Sequence, residues 1–429
     1  MNNIKWACIQ PLTGGMYLGA EEAIGHPAEW IMSFDGLCDV TYSKKTNEMA
    51  GVGNEYNLIK YLEKHNREVP YYTIHNGMFD IDVNYMNPFI SKDNEEQTPD
   101  YDNIDIVVGV PVCSGISMVT KASKETKESR NCNMKWMTNY TLSMIKPKIF
   151  IFENAPTLMG SRGDELRAWF NQLALDKGYS ILYYKTDTVL HHNCQKRPRT
   201  FVIFIKHITD NKIENPPLMS FEAASVSLKD YLNKIPKGLT QEIPVKTGVY
   251  NYYTLDFIYN KFGNDWKNFI NGSIMDYINR NSLIDELIEY VKKDEKYPIE
   301  NKERTLKYFE HIKYKKSLGL NYYGDDIQYV KDFMPSIQFR SMPNMLHLTE
   351  NRIYTIREYL SFMGMPYDFT LYGDESNLAK IGQNVPVGTA KFIVSQAINI
   401  LNNWNKERPN ISNAIYQNNI KQTTENEES

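Results

Sequence analysis

The chain predicts an α/β protein, a doubly wound and largely parallel sheet joined to a separate, irregular domain. Three observations predict it. Short β-branched runs at 4–9, 29–34, 104–108, 148–152, 180–185 and 200–206 alternate with helical patterns, the order that places crossover helices between parallel strands. Several runs break into glycine, proline or small polar residues, as at Gly14-Gly15 and Gly109–Pro111, the sheet edge where such folds bind ligands. From 208 to 340 the alternation fails: Pro216, Pro217, Pro236 and Pro244 punctuate Tyr-, Lys- and Asn-rich helical pieces.

Taken in order, residues 4–9 read as a short strand, 10–15 as a tight turn, and 16–24 as a helix stopped by Gly25. A second strand at 29–34 ends on Asp35. Strand, glycine turn, helix, strand and terminal acid is the layout of a nucleotide-binding unit: the turn lets backbone approach the ligand, and the acid accepts from ribose hydroxyls. Residues 36–103 are long and polar, with one helical pattern at 56–64, and read as helix and loops with an insertion. The buried run at 104–108, broken only by Asp105, leads through Gly109 and Pro111 to Cys113, followed by Ser114, Gly115 and Ser117. The polar stretch 117–135 reads as a loop, and 136–144 as a helix ending before Pro147. The strand at 148–152 ends on Glu153-Asn154-Ala155-Pro156, an amphipathic helix at 165–175 is capped by Gly178, and 191–199 separates the last two strands. Within 208–340, a helix over 282–293 puts Leu283, Ile284, Leu287, Ile288 and Val291 on one face. Apolar patterning returns at 355–363 and 389–401, the latter flanked by a turn at 381–386. The polar tail, 408–429, is expected to be disordered.

At 429 residues, two or three domains are expected, and 42% hydrophobic with 23% charged residues describes a soluble globular chain. The net charge of -4 means that nucleic-acid affinity must come from local basic surface. Two groups offer it: Lys121, Lys124, Lys127 and Arg130, and the set His191, His192, Lys196, Arg197, Arg199, Lys206 and His207. A charge run is more often just a solvated face. The five cysteines are odd in number and widely spaced, without a CxxC, which argues against disulfides and a zinc site and for a reducing compartment. No stretch has the continuous apolarity of a membrane span and no signal peptide opens the chain, so a cytoplasmic, membrane-free protein without a metal is expected.

Cys113 and Glu153 each follow a buried strand by a few residues, so in a parallel sheet both lie on one edge. Gln195, Arg197 and Arg199 have a period of two and, if extended, face one way. The glycine turn and Asp35 offer a cofactor pocket on that edge. Singly these are bland: a lone cysteine is usually a small buried side chain, carboxylates cap helices, and arginines decorate surfaces. Their convergence makes a candidate site.

On these residues the sequence resembles the DNA cytosine-5 methyltransferases, at both ends of the chain. The family's Phe-x-Gly-x-Gly-Gly turn corresponds to Gln10 through Gly15, and its Pro-Pro-Cys-x-x-x-Ser to Pro111-Val-Cys113-Ser-Gly-Ile-Ser117. Its Glu-Asn-Val corresponds to Glu153-Asn154-Ala155, and its Gln-x-Arg-x-Arg to Gln195-Lys-Arg197-Pro-Arg199. Late motifs match Glu350-Asn-Arg352, Thr355-Ile-Arg357-Glu358, Gly364-Met-Pro-Tyr-Asp368 and Gly382-Gln-Asn-Val-Pro386. The chain departs from the family at Gln10 (usually aromatic), Leu12 (glycine), Val112 (proline), Ala155 (valine) and Gln383 (asparagine).

The resemblance implies a Rossmann-like S-adenosylmethionine-dependent methyltransferase sheet. Residues 1–207 would form its first part, 208–340 a target-recognition domain, and 341–407 the return to the catalytic domain. It implies Cys113 as nucleophile on C6 of a flipped cytosine, Glu153 on N3 and the exocyclic amine, Arg199 on O2, and Arg197 as a brace. Gly14, Gly15, Asp35, Asp80 and Gln383 would meet the cofactor, and Ser117, Arg130 and Gln195 the nucleic acid. The donor would be S-adenosylmethionine, leaving S-adenosylhomocysteine, and the partner double-stranded DNA, bound by a monomer in a prokaryotic or phage-infected cell. Restriction-modification and phage DNA modification are both open. The competing readings are a tRNA cytosine-5 methyltransferase, a catalytically silent DNA-binding homologue, and an enzyme with a changed one-carbon donor.

Overall fold

The computed structural model describes residues 4–34, 39–42, 44, 49–75, 89–111, 116, 124–207, 225–242, 244–245, 247–320, 327–337, 344–373 and 375–402. β1 (Trp6–Ile9) is buried on both faces and feeds α1 (Gly15–Ile24), which ends on Gly25 in the left-handed region, φ 96°. β2 (Trp30–Phe34) follows, then a hairpin of β3 (Val40–Tyr42) and β4 (Met49–Val52), α2 (Tyr56–Lys64), β5 (Tyr71–His75), β6 (Phe89–Lys92) and β7 (Glu95–Glu96). β8 (Ile106–Gly109) is followed by α3 (Lys124–Tyr140), β9 (Ile149–Asn154), α4 (Asp164–Lys177), β10 (Tyr179–Asp187), β11 (Gln195–Lys196) and β12 (Pro198–Lys206).

Nine strands form one sheet in the order β10-β12-β9-β8-β1-β2-β5-β6-β7. The centre, from β9 to β5, is parallel. β12 lies antiparallel to both β9 and β10, and β6 and β7 add an antiparallel margin at the far side. Trp6, Cys8 and Ile31 face a core shared with α1 and α2, while Ala7, Trp30 and Met32 face one shared with α3 and α4. Helices on both faces of continuous apolar strands make the sheet doubly wound, as the sequence predicts.

Two local expectations are corrected. Within 36–103, β5 to β7 extend the sheet, where helix and loops were expected. Their half-buried Tyr, Thr and His residues lack the apolar continuity of the central strands. The stretch 117–135, expected as a loop, is helical from Lys124 onward. Its first turns, Lys124 to Arg130, are charged and carry no apolar stripe in sequence, whereas Met134, Trp136 and Met137 pack in the core.

The later chain divides its packing. α5 (Leu228–Asn233) contributes Leu228 to the sheet body. α6 (Val249–Phe262), α7 (Trp266–Phe269), α8 (Ile274–Arg280), α9 (Ile284–Lys293) and α10 (Ile299–Ser317) surround a separate core. β13 (Gly272–Ser273), β14 (Ile327–Tyr329) and β16 (Asn344–Met345) form a small sheet beside it, while β15 (Met334–Pro335) pairs with β11. The expected apolar face of α9 is there: Leu287 and Val291 are fully buried with Trp266, Phe309 and Ile312.

α11 (Ile356–Phe362) and α12 (Val387–Asn402) then return to the sheet body. α12 packs so closely on α1 that a methyl at Gly19 would lie 2.4 Å from the Val387 carbonyl oxygen. The sheet body is therefore closed by the far end of the chain. Among the described residues no helix is long and apolar enough to cross a membrane.

Candidate active site

Parallel pairing sets β1, β2, β8 and β9 with their carboxyl ends on one edge, and Gly109 is in register with Phe152. Glu153 therefore stands one step beyond the end of β8. The chain runs from β1 to β2 and β5 in one direction and from β8 to β9 in the other, so the β1/β8 boundary is the topological switch point where open sheets bind ligands. Pro111, on the way out of β8, is buried. Cys113, Ser117, Asp35 and Asp80 lie outside the described residues; Arg130 is on α3, but its side chain is likewise outside them.

Glu153 is paired through its backbone with Phe201 of the antiparallel β12, which brings Arg199 alongside. Arg199 Nε lies 2.7 Å from Glu153 Oε1. Burial is the largest influence on this carboxyl and raises its pKa, against the pull of Arg199 first and Arg197 second. The pair thus holds a carboxyl whose proton affinity is raised while its orientation is fixed by a guanidinium, a combination suited to proton donation.

Gln195, Arg197 and Arg199 do share the inward side, with Lys196 and Pro198 exposed between them. Their partners separate their roles. Arg197 is 2% exposed, and its guanidinium donates to the carbonyls of Ile337 (2.6 Å), Gly382 (2.7 Å) and Asn384 (2.8 Å). Placed in the catalytic set by sequence, it is spent on these contacts, which tie the strand that carries Arg199 to the C-terminal segment. Gln195, expected on the nucleic acid, is fully buried, with its amide nitrogen 3.3 Å from Met363 Sδ. It packs the interior, so no DNA contact follows from it.

The glycine turn is held by the same C-terminal segment. Thr13 Oγ1 donates to the Lys380 carbonyl at 2.9 Å, and the Gly15 amide donates to Asn384 Oδ1 at 2.6 Å. Gly14 has φ 107°, and a methyl on it would meet Leu58 Cδ1 at 2.7 Å. A methyl on Gly15 would lie 1.9 Å from the Val385 carbonyl oxygen. Both glycines are thus required by the protein's own packing, beyond any approach of a ligand. Gln383, the expected cofactor residue, is half-buried and accepts from Asn54 Nδ2 at 2.5 Å. Gln10 is fully buried at φ 52°, and neither polar atom of its carboxamide has a hydrogen-bond partner.

A family model for the C-5 cytosine-specific DNA methylases matches residues 71–399. The chain belongs to that family. No curated protein matches it. Among solved structures, the methyltransferase EhMeth of Entamoeba histolytica is similar at 12% identity and a TM-score of 0.51, covering 94% of this chain and 99% of that one. A prophage-encoded protein described as a DNA modification methyltransferase (E. coli) is 18% identical, with a TM-score of 0.49 and coverage of 93% and 99%. The Dnmt2 methyltransferase of S. pombe is 10% identical, with a TM-score of 0.48 and coverage of 93% and 99%.

The C-5 cytosine methylases are S-adenosylmethionine-dependent, and this member fastens its glycine turn with residues that the motifs alone did not single out. Asn384 is the clearest: it sits one place beyond the motif position occupied by Gln383, and only its contact with Gly15 reveals it. Glu55 is wholly buried, and nothing in its local sequence marks it.

Proposed function

We propose that this chain transfers a methyl group from S-adenosylmethionine to C5 of cytosine in double-stranded DNA, through a covalent adduct on a flipped base. The pairing of buried Glu153 with half-buried Arg199, 2.7 Å apart on the sheet edge that also carries the glycine turn, is the observation that supports it most. Cytosine C5 is a poor nucleophile. A thiolate added at C6 gives C5 enamine character, and Cys113 is the group that adds. Glu153, with its raised proton affinity, hydrogen-bonds N3 and the exocyclic amine and lends N3 a proton as C6 is attacked. Arg199 orients that carboxyl and reaches the base O2, and Arg197 braces the strand behind it. Once C5 carries the methyl group, loss of its proton to solvent, return of the N3 proton to Glu153 and elimination of the thiolate from C6 restore the aromatic ring.

The residues present fit the donor. The glycine turn opens α1 at the β1/β8 switch point, and Asn384 fixes its first helical amide. Gly14, Gly15 and Gln383 would line the site, with Asp35 at the ribose and Asp80 at the adenine amine. When bound, S-adenosylmethionine supplies an electrophilic methyl group. The target base must leave the stack to reach Glu153. Ser117 and Arg130 are the phosphate contacts in this reading, and the helical unit around the separate core, within the 208–340 recognition segment, reads the sequence.

The test is a denaturant-stable adduct between the protein and a duplex carrying 5-fluorocytosine, formed in the presence of S-adenosylmethionine. Wild type should form it, Cys113→Ser should not, and Glu153→Gln should slow it by about 10²–10⁴-fold. A parallel arm with an RNA hairpin separates the two substrate classes: an adduct on RNA alone reassigns the substrate. No adduct on either overturns the mechanism. Bisulfite sequencing of DNA from expressing cells then gives the sequence context.

A further inference from the structure

Glu55 stands at the start of α2, where a carboxylate would ordinarily cap the helix and face its amides. It makes no such cap. Its side chain turns inward and is fully buried beneath the cofactor edge, where Tyr71 of β5 donates to Oε2 at 3.2 Å. The Leu12 amide, inside the glycine turn at φ 51°, and the Ser33 hydroxyl on β2 also act on the carboxyl. Ser33 Oγ and Glu55 Oε1 are both buried and neither has a hydrogen-bond partner. Ser33 is two residues before Asp35. One carboxyl therefore bonds β5 and lies close to the glycine turn and β2.

The other titratable group facing Glu55 is the thiol of Cys8 on β1, itself buried and held well above its ordinary pKa by burial first and by Glu55 second. Among the described residues no cation offsets a charge on Glu55. Burial pushes the carboxyl up to about 8, so at neutral pH it is mainly the uncharged acid, able to donate as well as accept. Above that value it becomes a buried, uncompensated charge, which strains the contacts around it.

We propose that Glu55 is a positioning residue of the donor site, fastening the glycine turn to β2 and β5 so that the loops meeting the nucleoside donor keep their geometry. The inference rests on the donor reading given above. It does not depend on the nucleophile, so binding alone can test it.

The experiment is calorimetric titration of the full chain with S-adenosylhomocysteine, from neutral pH to above the value of about 8. Wild-type affinity should weaken as pH rises through that value. Glu55→Gln, which keeps a donor and an acceptor without a charge, should bind like wild type at neutral pH and lose that dependence. Glu55→Ala should bind about tenfold more weakly and raise KM for the donor with little change in kcat. Cys8→Ser should leave the wild-type profile in place. If Glu55→Ala fails to fold, the comparison between wild type and Glu55→Gln still decides. Identical pH profiles for those two, or wild-type affinity in a folded Glu55→Ala, would overturn the role. Failure of wild type to bind at every pH would instead overturn the donor reading, and Glu55's role with it.

Discussion

Replacing Gly15 by alanine should test the join between the two ends of the chain. Gly15 opens α1, where exchanging glycine for alanine normally stabilises a helix by up to about 1 kcal/mol. Here the new methyl would lie 1.9 Å from the Val385 carbonyl oxygen and 2.7 Å from Asn384 Oδ1. A carbon–oxygen contact rests at about 3.3–3.6 Å, so the neighbour would have to retreat by roughly 1.5 Å. That neighbour is backbone, held by Arg197 through the Gly382 and Asn384 carbonyls. Retreat would also strip the Gly15 amide of its 2.6 Å bond to Asn384. Overpacking costs about 1–3 kcal/mol and an unpaired buried amide about 1–3 more. The steric terms outweigh propensity, and a net loss of about 2–5 kcal/mol is expected, read from denaturant unfolding. Gly160→Ala is the control: its methyl would meet nothing closer than the Thr157 carbonyl oxygen at 3.6 Å, and stability should hold within about 0.5 kcal/mol. S-adenosylhomocysteine binding should fall in Gly15→Ala and stay unchanged in Gly160→Ala. If Gly15→Ala matches its control in both measurements, the C-terminal segment does not press on the turn as described.

Three further outcomes are expected. His191 is buried against Phe392, bonded to Thr186 Oγ1 at 3.0 Å, and its pKa is lowered from 6.5 to about 4 by burial. The unfolded chain takes up this proton first, so stability should fall as pH drops from 6.5 towards 4, by about 3 kcal/mol; a denaturation series on His191→Gln should show a shallower decline. Glu358 is held down at about 2, with Arg352 bidentate on it at 2.8 Å. Its contribution should be intact above 4.5 and lost as pH falls through 2, and Glu358→Gln should remove that last step from the acid-unfolding curve. Gln10→Leu removes a buried carboxamide that has no partner; the melting temperature should rise, by the equivalent of about 1 kcal/mol, and an unchanged or lower value would mean that the carboxamide has a partner in solution.

The fold was legible where burial is continuous. β1, β2, β8, β9 and β12 are apolar runs packed on both faces, and each reads as a strand without its neighbours. β5 and the start of α3 were not legible, because half-buried residues at a sheet margin and a charged run without apolar spacing obey no single hydrophobic period. In the site, the motif spacing singled out Glu153 and Arg199. Their 2.7 Å pairing depends on β12 running antiparallel to β9, with Phe201 opposite Glu153.

What the sequence determined by itself is the order of the elements, the edge on which they end and the side chains carried there, since these follow from local periodicity and residue chemistry. Tertiary structure decided which of those side chains are taken up by the frame and which stand at the sheet edge. Arg197 and Gln195 share a motif and an alternation with Arg199, yet both turn to partners in the chain's last third. Gly15 meets Asn384 across 369 residues of chain. Contacts at that separation depend on how whole helices and strands pack, which no local pattern records.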